Sequence, residues 1–221
     1  MPDTAILDVD GTLVDSNYQH ALAWYRAFRR FGATIPIWHL HRAVGMGGDQ
    51  LVAHVAGEQA ESDSGDDVRA AHGEEFDVLI GEVAAFPDAE RLLAGLREDG
   101  LRLVLATSGK SEHAEHLLGL VDGRRYADDV VTSGDVEASK PAPDLVQVAL
   151  DKSRVSPDAA VFVGDTVWDV QACGKAGVAC IGLLSGGISR EELADAGAAE
   201  VYDGPAELLA ALPDSLLGRR R

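Results

Sequence analysis

A short apolar run, Ala5-Ile6-Leu7, leads straight into Asp8-Val9-Asp10-Gly11-Thr12 near the start of this 221-residue chain. An apolar segment this short, ended by turn residues, reads as a strand buried on both faces, and such strands belong to parallel sheets covered by helices. On a strand, residues i and i+2 share a face, so Asp8 and Asp10 point the same way, roughly 6–7 Å apart. That gap suits a metal ion or a tetrahedral phosphoryl group. Gly11 has no Cβ and lets the chain turn away without crowding whatever lies there. In a chain with 37 Asp and Glu, a lone Asp-x-Asp is ordinarily a solvated loop. At the end of a buried strand the pair would cost several kcal/mol unless something positive neutralised it.

The remaining chain alternates in the way that such a sheet requires. Ser16 is placed to cap a helix with apolar positions Tyr18, Leu22, Tyr25, Phe28 and Phe31, ended by Gly32. Pro36 opens a short helix to Val44, Gly45-Met46-Gly47-Gly48 breaks it, and another runs through Val55. Glu58–Asp67, acidic with Ser and Gly, reads as a loop. Asp66 or Asp67 then caps a helix reaching about Ala85. Residues 15–87 are expected to be all helical. From Asp88 onward, strands are expected at Leu101–Ala106, Asp129–Thr132, Ala159–Val163, Val178–Leu184 and Glu200–Tyr202, separated by helices. Strands alternating with helices imply a Rossmann-like three-layer α/β core, which binds ligands beyond the carboxyl ends of its strands. Asp8, Asp10, Thr107 and Asp165 all fall at those ends. The expected organisation is a catalytic core of residues 1–14 and 88–221, with residues 15–87 inserted over that edge as a helical cap domain.

The formal charge of −18 argues against nucleic acid or an anionic membrane as partner. An anionic substrate must then be held locally, which makes each of the four lysines, Lys110, Lys140, Lys152 and Lys175, worth locating. No stretch approaches the roughly 20 apolar residues of a membrane span. Met-Pro-Asp-Thr is not a secretory start, and two cysteines, Cys173 and Cys180, are too few for a disulfide framework. A cytoplasmic protein is expected, with Arg219-Arg220-Arg221 as a solubilising tail. Oligomeric state cannot be read from the sequence.

Several residues have plain structural readings. Thr107 alone is a strand-ending threonine, Lys140-Pro141 a surface loop and Gly164-Asp165 a turn. His39 and His41, at i and i+2 on a helix, face apart; His113 and His116 read as a solvated face. Trp24, Trp38, Tyr25 and Phe28 read as core of the helical block, and Trp168 as packing beside the site. Taken together, however, Asp8-Val9-Asp10-Gly11-Thr12, the strand ending in Thr107, Lys140 before Pro141, and Gly164-Asp165-Thr166-Val167-Trp168-Asp169 resemble the four motifs of the haloacid dehalogenase-like superfamily. The resemblance covers essentially the whole chain. The helical insertion is similar to that of the phosphoglycolate phosphatase and β-phosphoglucomutase subgroup.

That resemblance implies roles. Asp8 is the nucleophile that forms an aspartyl-phosphate, and Asp10 the general acid and then general base. Mg2+ is held by Asp8, the backbone carbonyl of Asp10 and Asp165, with Asp169 behind them or acting through water. Thr107, Ser108 and Lys140 take the phosphoryl oxygens, and His20 and Lys110 meet the substrate. Branches separate on single residues. Haloacid dehalogenases lack the second carboxylate that Asp10 supplies, and phosphonatases need a cap lysine, absent from residues 15–87. Phosphoglucomutases share Asp15, His20, Trp24 and Lys110 with this chain. Their cap arginine is replaced around Gly47-Gly48, with Arg42 the nearest alternative. The expected activity is Mg2+-dependent hydrolysis of a small phosphorylated metabolite, phosphoglycolate among the candidates, with a hexose-phosphate mutase as the alternative. A non-enzymatic phospho-acceptor switch like a response-regulator receiver is a remoter alternative, disfavoured because its accepting Asp lies mid-chain and no helical cap intervenes.

Overall fold

The computed structural model describes residues 2–218; the Arg219–Arg221 tail expected from the sequence lies outside them. Strands β1 (Thr4–Leu7), β4 (Arg102–Ala106), β5 (Asp129–Val131), β6 (Ala160–Gly164), β7 (Ala179–Leu183) and β8 (Glu200–Tyr202) form one parallel sheet in the order β5-β4-β1-β6-β7-β8. The apolar run that opens the chain thus lies near the middle, paired on both sides, with Ile6 opposite Val104 and Phe162.

The twofold period of the strands divides the core. Ala5, Leu7, Leu103, Leu105, Val163 and Ile181 pack on one face against α5 (Ala89–Glu98), α6 (Ser111–Gly119), the single turn α7 (Gly123–Tyr126) and α11 (Pro205–Ala211). Ile6, Val104, Phe162 and Cys180 pack on the other against α8 (Asp144–Ser153), α9 (Val167–Ala176) and α10 (Arg190–Ala196). Burial on both faces is why the strands lack polar alternation.

Helices α1 (Asn17–Arg30), α2 (Ile37–Ala43), α3 (Gly48–Ala56) and α4 (Glu58–Leu79) pack on one another around Trp24, Phe28, Leu40, Leu51, Val52 and Val68. Three expectations change here. Glu58–Asp67 is the first half of α4, not a loop: Gly65, Val68, Ala71 and Phe76 bury one face, and Arg69 ties Glu61 and Asp66 across successive turns. Packing against α1 and α3 outweighs the weak helical preference of Ser and Gly. The segment 15–87 is not wholly helical either. Val14–Asp15 (β2) pairs antiparallel with Ala84–Ala85 (β3), forming the two crossings between helices and sheet. Trp38 is no core residue but 69% exposed, while Trp24 and Phe28 are buried as expected.

Candidate active site

Strand β1 ends at Leu7, before both aspartates and short of Asp10, through which a shared strand face would have to run. The Asp8 N–H still bonds the Val163 carbonyl at 2.9 Å, so Asp8 continues the sheet by half a step. Gly11, at φ +70, turns the chain back in the left-handed region that favours glycine. The two carboxylates consequently meet different partners. Asp8 Oδ2 pairs with Lys140 Nζ at 2.9 Å, while its Oδ1 is buried without a hydrogen-bond partner among the described residues. Asp10 turns towards the helices. Ser16 Oγ donates to its Oδ1 at 2.6 Å, His20 Nε2 lies 3.1 Å from the same oxygen, and Thr107 Oγ1 donates to Oδ2 at 2.9 Å. Ser16, expected from the sequence to cap α1, therefore makes no side-chain bond to the helix start; its hydroxyl is spent on Asp10.

Lys140 is almost wholly buried and also reaches Asp169 Oδ1 at 2.7 Å. Asp169 is fixed in turn by the Thr166 N–H and hydroxyl in a capping box that starts α9. Asp165 accepts Thr12 Oγ1 at 2.9 Å and Asn17 Nδ2 at 2.7 Å. Asp8, Asp10, His20, Thr107, Ser108, Lys110 and Lys140 line one cavity of about 310 Å3, roofed by Trp24, Gly48, Arg69 and His72. Asp165 and Asp169 lie beneath that wall, fully buried. Lys110 is exposed at the rim, and Gly73 of α4 leaves its ammonium room.

Some residues fall elsewhere than the sequence suggested. Arg42 does not reach the cavity; it pairs with Glu192 of α10. The arginine on the cavity wall is Arg69, which falls within the helix expected after Asp67 but carries no local signal that it faces the cavity. His113 is buried beneath α4, bonded to Asp77 at 2.9 Å and edge-on to Phe76, whereas His116 is exposed. His72, on the same helix as Arg69, stacks on Trp24 and sits 3.2 Å from His20 Nδ1. Trp168 donates its indole N–H to the Arg42 carbonyl, joining α9 to α2.

The electrostatics are unbalanced. Oxygens of Asp8, Asp165 and Asp169 all lie within 4.8 Å of one another, with one ammonium among them. Burial lifts the Asp8 carboxyl well above its usual range despite Lys140, and burial with the Asp169 charge pushes Asp165 up to about 7. Burial would lower Lys140, but Asp169 and Asp8 outweigh it and raise the ammonium. Burial also pushes Asp10 upward, yet the bond and charge of His20 and the bonds from Ser16 and Thr107 hold it below the usual carboxylate range. An orphaned carboxylate oxygen among hard oxygen donors, with excess negative charge, fits a divalent cation such as Mg2+.

The metal-free protein should report this imbalance. A carboxyl whose folded pKa lies above its unfolded value destabilises once ionised, so its penalty is absent near pH 4 and complete above about pH 7. In chelator, the stability of Asp165→Asn relative to the wild type is expected to rise by a few kcal/mol between pH 4 and pH 8. Urea denaturation across that range measures the gap; a gap independent of pH would show that Asp165 titrates normally.

Comparison with known proteins identifies the family. The sequence profile described as haloacid dehalogenase-like hydrolase matches residues 2–177. The validoxylamine A 7′-phosphate phosphatase of Streptomyces hygroscopicus subsp. limoneus is 30% identical over 197 residues, covering 84% of this chain and 87% of its own. A phosphoglycolate phosphatase of Rhodospirillum rubrum is 34% identical over 221 residues, covering 94% and 90%. The crystal structure of a hydrolase from Pseudomonas syringae superposes with a TM-score of 0.90 at 32% identity, covering 96% of this chain and 98% of that one. The chain belongs to the haloacid dehalogenase-like hydrolases, among relatives that include named phosphatases.

Proposed function

We propose that this enzyme hydrolyses the phosphate monoester of a small metabolite in an Mg2+-dependent reaction, through a phospho-Asp8 intermediate. The observation that carries the reading is the Asp8 carboxylate: one oxygen held by Lys140, the other buried and without a partner among the described residues, on the wall of the cavity roofed by the helices. Asp8 attacks phosphorus, forming the O–P bond as the ester oxygen leaves. Asp10 supplies the proton to that oxygen and then removes one from the water that opens the acyl phosphate. Lys140, Thr107 and Ser108 take the phosphoryl oxygens, and Asp169 aims the Lys140 ammonium. Mg2+ would be held by Asp8, Asp165 and the Asp10 carbonyl, with Asp169 behind, and would supply charge neutralisation for the phosphoryl group.

In the same reading residues 1–14 and 88–221 form the catalytic core and residues 15–87 the cap, whose His20, Trp24 and His72 face the leaving group, with Lys110 across from them. A cytoplasmic setting goes with it, in keeping with the free buried thiols Cys173 and Cys180. A phosphomutase is the second reading, favoured by His20 and Lys110 at the cavity. Arg69 speaks against it: its guanidinium is already committed to Glu61, Asp66 and the Gly48 carbonyl, leaving it ill placed to grip a second phosphate.

The test is a kinetic panel with Mg2+, comparing phosphoglycolate, sugar monophosphates and an aryl phosphate, with isomerisation of β-glucose 1-phosphate followed alongside. Phosphate release with kcat/KM of about 10⁴ M⁻¹s⁻¹ or more on one metabolite is expected. Isomerisation outrunning hydrolysis would make the mutase reading the right one.

A further inference from the structure

Asn17, the first residue of α1, is 3% exposed. Besides its bond to Asp165 Oδ2, its Nδ2 reaches the Gly186 carbonyl at 3.4 Å, and His41 Nε2 of α2 lies 3.0 Å from the same carbonyl. The segment after β7 is thus held by two helices of the inserted block. The Asn17–Asp165 bond runs through a slot kept open by glycines. A Cβ on Gly11 would collide with both Asp165 Oδ2 and Asn17 Nδ2, and one on Gly186 would collide with Asp165 Oδ2. Ser185 Oγ donates to the Gly11 carbonyl at 2.6 Å, fastening the two sides of the slot together.

We propose that Asn17 is a positioning residue for the metal site, holding Asp165 towards Asp8 and Asp169 and so coupling metal affinity to the seating of the helical block. This rests on the metal-dependent reading above. Asp165 has one oxygen fixed by Thr12 and the other by Asn17, and each carboxylate oxygen keeps a lone pair for a cation. Thr12 belongs to the same loop as Asp8 and stays with the sheet. Asn17 belongs to α1, so its bond exists only while α1 is seated. Partners that hydrogen-bond a metal ligand from behind set its orientation, and their loss typically weakens binding 10- to 100-fold. Linkage makes the effect reciprocal: a cation that binds best with Asn17 in place also favours the seated helices.

Calorimetric titration with Mg2+ alone tests this, using wild type, Asn17→Ala and His41→Phe. Asn17→Ala is expected to raise the Mg2+ Kd about tenfold or more, while His41→Phe, which loses only the Gly186 contact, should stay within about twofold. In wild type, Mg2+ should slow hydrogen exchange at the start of α1, and this protection should vanish in Asn17→Ala. Should Asn17→Ala lose its fold, Asn17→Ser is read instead, since its short hydroxyl cannot span to Asp165. An unchanged Kd in the Asn17 variant, or an equal loss in His41→Phe, overturns the inference while leaving the metal site standing. Wild type that binds no Mg2+ overturns both.

Discussion

Asp8→Asn is expected to lower hydrolysis of an aryl phosphate by about 10⁴-fold or more without unfolding the protein. Asparagine has nearly the same shape as aspartate, and its amide oxygen is a far poorer nucleophile towards phosphorus. The fold should tolerate the change, because the strand context of residue 8 is set by its backbone bond to Val163 and by apolar neighbours. Lys140 keeps its 2.7 Å partner Asp169, so no buried ammonium is left bare. The variant also removes one carboxylate from a pocket where burial already lifts Asp8 well above its usual range. The metal-free variant should therefore melt no lower than wild type. Steady-state phosphate release and mass spectrometry of acid-quenched enzyme check the two halves of the argument. Turnover retained within tenfold would remove Asp8 as the attacking group.

Much of this site is legible from residue order alone, for a physical reason. A parallel sheet delivers the ends of non-adjacent strands to one edge, so Asp8, Thr107 and Asp165 converge because β1, β4 and β6 are neighbours. Lys140 is reached only through the family resemblance, since Lys140-Pro141 alone reads as a surface loop, and the structure sets its ammonium between Asp8 and Asp169. What sequence does not carry is the inner face of the inserted helices. The acidic run Glu58–Asp67 obscures only the first half of α4, since its helicity comes from contacts with α1 and α3 and not from its own composition; that Arg69 and His72 of the expected second half turn towards the cavity has no local signal. Ser16 and Asn17 have ordinary helix-start identities, and nothing local distinguishes a hydroxyl that caps a helix from one that holds Asp10. His113 differs in the same way: its helix face is solvated except where α4 crosses it.

The helices therefore do more than cover the cavity. Ser16 and His20 hold Asp10, Asn17 holds Asp165, and Asp49 accepts the Ser139 N–H at 3.1 Å beside Lys140. Two carboxylates of the sheet edge, and the backbone next to Lys140, are each steadied by a bond from residues 16–49. In the proposed reading, seating these helices would cover the cavity and align its charges together, which ties water exclusion to correct geometry.

Asp10→Asn is expected to reduce turnover by about 10²- to 10⁴-fold while leaving Mg2+ affinity nearly unchanged. The separation follows from where the side chain points. Asp10 is outside the cluster formed by Asp8, Asp165 and Asp169, and only its backbone carbonyl is proposed as a ligand, which the substitution preserves. Its carboxylate instead gathers donors from Ser16, His20 and Thr107, which outweigh burial and keep it ionised. Held so, it is a weak base and, once protonated, a strong acid. Proton transfer to the leaving oxygen thus requires the substrate to displace one of these donors, of which His20, at 3.1 Å, stands on the cavity wall. Asparagine can hold the same bonds on one side but carries no transferable proton. Rapid-quench kinetics with an aryl phosphate of low leaving-group pKa, which needs little protonation, should show formation of the phosphoenzyme nearly preserved and its hydrolysis slowed. An alkyl phosphate should show both steps slowed. Equal losses on the two substrates, or a weakened Mg2+ Kd, would move Asp10 from proton transfer to binding.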